Sequence, residues 1–342
     1  MYIKNIIRRQ IVKSKIATKI IQLGFKVLNT VKYSNKIFNR GNCNIFDIKE
    51  LSKEMPYTGN EPIFDNNMYG SAYTFKTYTC SKKNINAYIE HGLYFGDHYD
   101  KNQWYADKII TFSNQRFKHL KNKEIKKDIY AIGPYIHYAK ELFSEETRLI
   151  LKKNLGKTLL VFPVHSTSSI NIKYNIESFS EKINSIKNKY LYDNVLVCLY
   201  WNDIHNKEVL NSYSKRNYKI CTAGHKWDKD FLNRLKTIIN LSDTTISNDV
   251  GTHIGYCIHL RKPHTIIEFE NNMEALNKIG KFQIIEERKS EKNFEIEEVK
   301  AGFYNDSGVI FESITDLQLS LITKYWGLDC IKTESELYRI IS

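Results

Sequence analysis

The chain of 342 residues has no apolar run long enough to cross a bilayer: its longest, at 158–164 and 195–201, fall far short of the roughly 18 residues that a spanning helix needs. No Cys-x-x-Cys pair occurs either. The six cysteines stand apart at 43, 80, 198, 221, 257 and 330, and Cys198, Cys221 and Cys257 lie in or beside apolar runs. Buried reduced thiols, a reducing compartment and no zinc site are therefore expected. There is no low-complexity tract and no repeat of solenoid length, which excludes stacked-repeat architectures. Charges interrupt every apolar stretch near the N-terminus and no small-residue cleavage site follows, so no secretory leader is expected.

Acidic residues are missing from one region in particular. Residues 1–40 hold ten Lys and Arg (Lys4, Arg8, Arg9, Lys13, Lys15, Lys19, Lys26, Lys32, Lys36 and Arg40) and no Asp or Glu. The whole chain carries a formal charge of +13, so all but three of the excess charges sit there. The body is close to neutral and no RNA- or DNA-binding motif is present, which argues against a nucleic-acid binder. Within 2–32, Val12, Ile16, Ile20, Leu23 and Val27 recur at spacings of three and four, the mark of one apolar stripe on a helix. That stripe either packs on the body of the protein or rests on an anionic lipid surface.

Length suits two domains of ordinary size. Residues 41–75 read as irregular, with Gly41, Pro56, Gly59, Pro62 and Gly70 as breakers. Strands follow at 86–90, 108–112 and 128–132, with a helix at 114–121 and another at about 144–154. The second half repeats the rhythm: strands at 158–164, 194–200, 218–222, 244–247 and 264–267, helices at 175–189, 228–240 and 252–260, and two tail helices around Trp326-Gly327 within about 314–342. The unbroken apolar runs at 158–164 and 194–200 read as strands buried on both faces. Alternation with short connections means doubly wound parallel sheets.

In such sheets ligands collect beyond the carboxyl ends of strands, so those turns supply the candidate site residues. At 242–263 a strand ends at Ser247 and a polar turn with Asn248, Gly251 and Thr252 opens a helix. Glycine lets the backbone approach a phosphate, and the free N–H groups of a helix start bind it; an ordinary helix cap is the alternative. His165, Ser166, Ser168 and Ser169 follow the strand at 158–164, in a hydroxyl-rich loop suited to a nucleotide phosphate. Thr222, Gly224 and His225 follow the strand at 218–222, where small residues leave room for a base or ribose. Asp228 reads as the cap of the next helix, and Asp228-Lys229-Asp230 is discounted as a metal site because neighbouring side chains diverge at a helix start. Tyr200, Trp201 and Asp203 either frame the cleft or cap the sheet. In the first half, Glu90-His91-Gly92 ends the strand at 86–90, placing His91 as a general base with Glu90 as its partner, and Asp97 and His98 as alternatives.

The segment from 218 to 267, with its strand, Ser/Gly/Thr turn, helix and Arg261-Lys262-Pro263 step into the next strand, resembles the donor-binding region of GT-B glycosyltransferases. The likeness extends over roughly 86–342; residues 1–85 carry none. Similar arrangements occur in sugar-nucleotide 2-epimerases and polyol-phosphate transferases, the 165–169 loop loosely resembles bacterial sialyltransferases, and His91-Gly92 resembles the catalytic turn of teichoic-acid polymerases. The resemblance implies a GT-B-like α/β fold of two Rossmann-like domains: a basic amphipathic helical segment at 1–40, an acceptor-side domain at 41–140, a nucleotide-sugar-binding domain at 141–315 and C-terminal helices at 316–342. It implies a metal-independent bacterial glycosyltransferase of the surface-polysaccharide or lipopolysaccharide type. The donor would be a nucleotide-sugar and the acceptor a glycan or glycolipid, with residues 1–40 on the inner, anionic face of the cell membrane. An epimerase or polyol-phosphate transferase is the alternative on the same fold.

Overall fold

The computed structural model describes residues 14–41, 43–57, 60–97, 99, 106–167, 169–267, 271–277, 290–305 and 309–342. Val12 and the basic residues at 4, 8, 9 and 13 therefore lie outside the described residues, as do His98 and Ser168.

The first helix, α1 (Lys15–Gly41), runs further than the expected 2–32 and ends at a fixed point. Arg40, 3% exposed, donates from Nη1 to the Leu51 carbonyl at 2.7 Å and from Nη2 to the Glu50 and Lys53 carbonyls at 2.9 and 2.7 Å. The same guanidinium faces Asp228 at 3.4 Å, and Arg234 holds that carboxylate at 2.7 Å. Asp228 is thus the centre of a buried ion cluster rather than a helix cap. Burial costs each of these charges solvation, which their mutual pairing offsets.

The stretch expected to be irregular up to residue 75 already contains the start of α2 (Ser71–Tyr78), whose Phe75 is fully buried. Strands β1 (Tyr88–Ile89), β2 (Lys108–Thr111) and β3 (Asp128–Ala131) then form a parallel sheet in that order, with α3 (Asn114–Asn122) between the last two.

The helix α4 (Glu145–Leu155) leads into the second sheet. Its Ser144 cap accepts the Thr147 N–H. All five residues of β4 (Thr158–Phe162) are buried, as the continuous apolar run required. Strands β6 (Asn194–Cys198), β7 (Lys219–Cys221), β8 (Thr244–Ser247) and β9 (His264–Ile266) join it in the parallel order β7-β6-β4-β8-β9. The intervening helices are α5 (Ile176–Lys189), α6 (Lys207–Ser214), α7 (Phe231–Asn240) and α8 (His253–His259). The strand β5 (Ile170–Tyr174), absent from the sequence reading, pairs antiparallel with β10 (Asn271–Ala275) as a two-stranded flap. Its partner lies about a hundred residues downstream, and local patterning carries no trace of so distant a pairing.

After α9 (Ser290–Phe303), the helix α10 (Asp316–Trp326) opens with a capping box, Thr315 with Gln318, and closes at Gly327. Gly327 has φ +71°, and a Cβ there would lie 2.3 Å from the Phe112 carbonyl; only glycine permits both. This turn sends the chain back to the first sheet. Lys332 N–H donates to Tyr138 Oη at 2.9 Å, and Lys108 Nζ to the carbonyl of Ile340 in α11 (Glu334–Ile341) at 3.1 Å. One cluster of buried residues runs from Ile89 and Ile110 of the first sheet to Leu160 and Leu196 of the second, with Phe112 stacked on Tyr135 at 4.1 Å between them.

Candidate functional site

From β4 the chain winds outward through β6 and β7 on one side and through β8 and β9 on the other. Loops beyond the carboxyl ends of β4 and β8 therefore diverge, the place where doubly wound sheets hold ligands. Asn248, just past β8, accepts the Val164 N–H on Oδ1 at 2.6 Å and so ties the two loops together. A cavity of about 440 Å³ opens there, within the range of small-ligand sites. The loop after β4 (Phe162 to His165), the loop after β8 (Asp249 to His253) and Thr222 beyond β7 line one side; Tyr69, Ser71, His91 and Gly92 line the other. Ile170, Ile172 and Met273 of the β5–β10 flap complete it.

The two sides meet at one bond. The Leu93 N–H donates to Thr252 Oγ1 at 3.0 Å, and a Cβ on Gly92 would stand 3.5 Å from that oxygen. Trp326 Nε1 donates to the Thr252 carbonyl at 2.9 Å, so the turn is held from both ends. His91 has the Tyr94 hydroxyl 3.4 Å from Nδ1 and 3.5 Å from Nε2. Its ring centroid lies 6.2 Å from that of Tyr69, a residue with the left-handed φ of 55°. The Tyr69 hydroxyl is 3.2 Å from that of Tyr200, and burial pushes its ionisation far up.

Glu90, expected as partner to His91, is held by other groups. It is fully buried, and Arg116 grips it from Nη2 at 2.6 Å and Nε at 3.1 Å while Thr111 Oγ1 donates at 2.6 Å. Burial opposes the Arg116 charge, but Glu90 outweighs it and raises the guanidinium. This pair joins α3 to the end of β1. Asp97, an alternative base, is paired with Lys123.

Several other expected contacts fall outside the lining. Ser166 fastens the flap, its Oγ accepting the Ile172 N–H at 3.0 Å, and Ser169 lies by Thr167 and Leu276. Ser247 Oγ donates to the Asp249 carbonyl at 2.8 Å and meets His264 at 3.0 Å. Gly224, φ +99°, leaves room for Arg234 and Asp228. His225 sits against Trp201 at 4.2 Å, its Nδ1 accepting the Trp227 N–H at 3.2 Å. Burial first and Arg40 second push its pKa down to about 3. His91, His165, Thr222, Gly251 and Thr252 do line the cavity. His165 stacks on Tyr200 at 4.1 Å, and burial lowers its pKa.

Sequence reading missed His253. Its ring stacks on Phe162 at 4.7 Å, with His264 at 5.5 Å, and its Nε2 is buried with no hydrogen-bond partner among the described residues. Burial, then His165, push its pKa down to about 3, so the imidazole is neutral and works as donor or acceptor. A Cβ on Gly251 would come within 2.7 Å of His253 Cε1 and Nδ1: the glycine makes space for this ring. The signal lay in the sequence as an imidazole directly after the Gly251-Thr252 turn. Among the described residues Asp249 is the one formally charged residue of the lining, which contains no Lys or Arg. Binding of an anion there would rest on backbone N–H groups, hydroxyls and neutral imidazoles.

No family model and no curated protein sequence matches the chain. Among solved structures it is similar to the UDP-GlcNAc 2-epimerase from Methanocaldococcus jannaschii, at TM-score 0.38 and 10% identity, covering 84% of this chain and 83% of that one. It is also similar to the pneumococcal O-GlcNAc transferase GtfA in complex with UDP and GlcNAc, at TM-score 0.32 and 10% identity, over 75% of this chain and 48% of that one. The chain has two parallel sheets, the second in the order β7-β6-β4-β8-β9, and a cavity lined from both.

Proposed function

We propose that the chain is a glycosyltransferase that moves a sugar from a nucleotide-sugar donor to a hydroxyl of a lipid-linked or surface glycan, in the cytoplasm. The observation that carries the reading is that His91, from the first sheet, lines the same cavity as the Gly251-Thr252 turn at the switch point of the second. Transfer needs a group that takes the acceptor proton beside a pocket that holds the nucleotide. In this reading the nucleotide lies against Gly251, Thr252, His165 and Thr222, with His253 Nε2 offering the hydrogen bond it lacks.

As the acceptor oxygen bonds to the anomeric carbon, the bond from that carbon to the phosphate oxygen breaks. The nucleotide leaves with the electron pair and His91 receives the proton. Tyr94 orients the imidazole, a role the sequence had allotted to Glu90. A metal ion is not required in this scheme. The Asp228 carboxylate of the Asp-x-Asp motif is held by Arg40 and Arg234, and turnover should persist in excess EDTA.

The test is incubation with a panel of UDP-, GDP-, CDP- and CMP-sugars, with and without glycan acceptors, measuring free nucleotide and product mass. Nucleotide release that depends on acceptor is expected. Conversion of one nucleotide-sugar into its epimer, with no transfer to any acceptor, would replace this reading by the epimerase one.

A further inference from the structure

The helix α1 turns the wrong face inward for a helix that packs as part of a core. Ile16, Ile20, Leu23 and Val27 are 73%, 65%, 62% and 55% exposed. At 100° per residue these four positions fall within about 60° of one another, on one outward face. On the opposite side are Thr18, which is buried, and Gln22 and Phe25. Gln22 Nε2 donates to the Asn60 carbonyl at 3.1 Å, its side chain pairs with the Asn84 amide at 3.0 Å, and the Phe25 ring meets Tyr57 edge-on at 5.1 Å. Among the described side chains the helix is therefore attached to the body through Gln22 and Phe25, and by Arg40 at its end, while the stripe from Ile16 to Val27 faces away. A Cβ on Gly24 would meet nothing within 4 Å. Among the described residues no helix is long and apolar enough to cross a membrane.

We propose that this outward face lies on an anionic membrane surface, with α1 parallel to it. Charge chooses the occupant. Apart from Arg40, which is buried against Asp228, residues 1–39 carry nine Lys and Arg and no Asp or Glu, a charge that attracts anionic lipid headgroups and repels a second copy of the same segment. The apolar stripe enters the headgroup boundary while the cations meet the phosphates. Because Arg40, Gln22 and Phe25 fix α1 to the body, docking also sets how the cavity faces the lipid. This inference stands apart from the transferase reading, since it uses no residue of the cavity.

The experiment is co-sedimentation of the full chain with phosphatidylcholine vesicles, with or without phosphatidylserine, at low and high salt. A variant carrying Ile16→Ser, Ile20→Ser, Leu23→Ser and Val27→Ser is measured beside it. The parent should pellet with phosphatidylserine vesicles, fail to pellet with phosphatidylcholine alone, and release in high salt; the variant should lose at least tenfold in partitioning. Equal binding by parent and variant, or binding indifferent to phosphatidylserine, overturns the proposal. So does light scattering that finds the parent dimeric and the variant monomeric. Unchanged thermal unfolding of the variant shows that its fold survives. Absence of any nucleotide-sugar reaction would remove the transferase reading and leave this one standing.

Discussion

The hydroxyl of Thr252, at the switch point of the second sheet, accepts the N–H of Leu93, two residues beyond His91 in the first, at 3.0 Å. A residue whose sequence context suggested phosphate binding is thereby also the clasp that closes the cleft. Replacing it by Val leaves a half-buried N–H without its acceptor, and an unpaired donor costs about 1–3 kcal/mol. Thr252→Val should lower stability to urea by about 1 kcal/mol, toward the lower end of that range because the site is only half-buried. Thr252→Ser should restore it. Equal urea midpoints for parent and Thr252→Val would show that the clasp carries no stability.

Gly251→Ala should act through His253. The added methyl would stand 2.7 Å from the imidazole, so the ring has to leave its stack on Phe162. Nucleotide-induced thermal stabilisation, which measures binding to the native state, should fall sharply. It should fall likewise in His253→Ala, with little further loss in the double variant. Fully additive losses would mean that Gly251 and His253 act separately.

Glu90 and His91 are neighbours in sequence with opposite expected phenotypes. Glu90→Gln leaves the buried Arg116 charge uncompensated, and breaking a buried pair from one side costs about 3–5 kcal/mol; the protein should unfold at markedly lower denaturant. His91→Ala should unfold normally and lose about 10²–10⁴-fold in transfer rate, with nucleotide affinity kept. A stable, slow Glu90→Gln would return the carboxylate to the chemistry.

Asp203 supplies a pH dependence of stability. Its carboxyl is buried, which pushes its pKa up to about 7 against the opposing Ser166 N–H. Folded protein therefore holds a proton there that the unfolded chain releases near pH 4. Stability should decline as pH rises from about 4 to about 7 and stay reduced above that. Asp203→Asn should match the parent at about pH 3.5 and exceed it at pH 8 in melting temperature. Parallel pH profiles for the two proteins would refute the assignment.

Binding at the two surfaces should respond differently to salt. The described residues of the cavity lining include no Lys or Arg, so nucleotide affinity should change little between low and high ionic strength, whereas vesicle binding through residues 1–40 should collapse. Calorimetric titration of nucleotide at both salt concentrations checks the first half. A steep salt dependence there would place cations in the nucleotide site.

The local sequence determined the parallel strands and most of the helices between them, and hence the α/β architecture. Continuous apolar runs at β4 and β6 could be satisfied only by strands covered on both faces, and the helix starts expected at about 144, 175 and 314 fall within a residue or two of those found, which the side chains of Ser144, Asn175 and Thr315 cap. It also located the turns that line the cavity, because the carboxyl ends of parallel strands are where chain direction changes. Partner choice was decided only in three dimensions. Nothing local says that Glu90 will find Arg116 rather than His91, that Asp228 will be gripped by Arg40 from 188 residues away, or that β5 will pair with β10. Such pairings depend on which elements the fold brings together, and a buried charge takes whichever partner lies within reach. The same holds for α1: its periodicity announced an apolar stripe, but only its attachment through Gln22, Phe25 and Arg40 determined that the stripe faces outward.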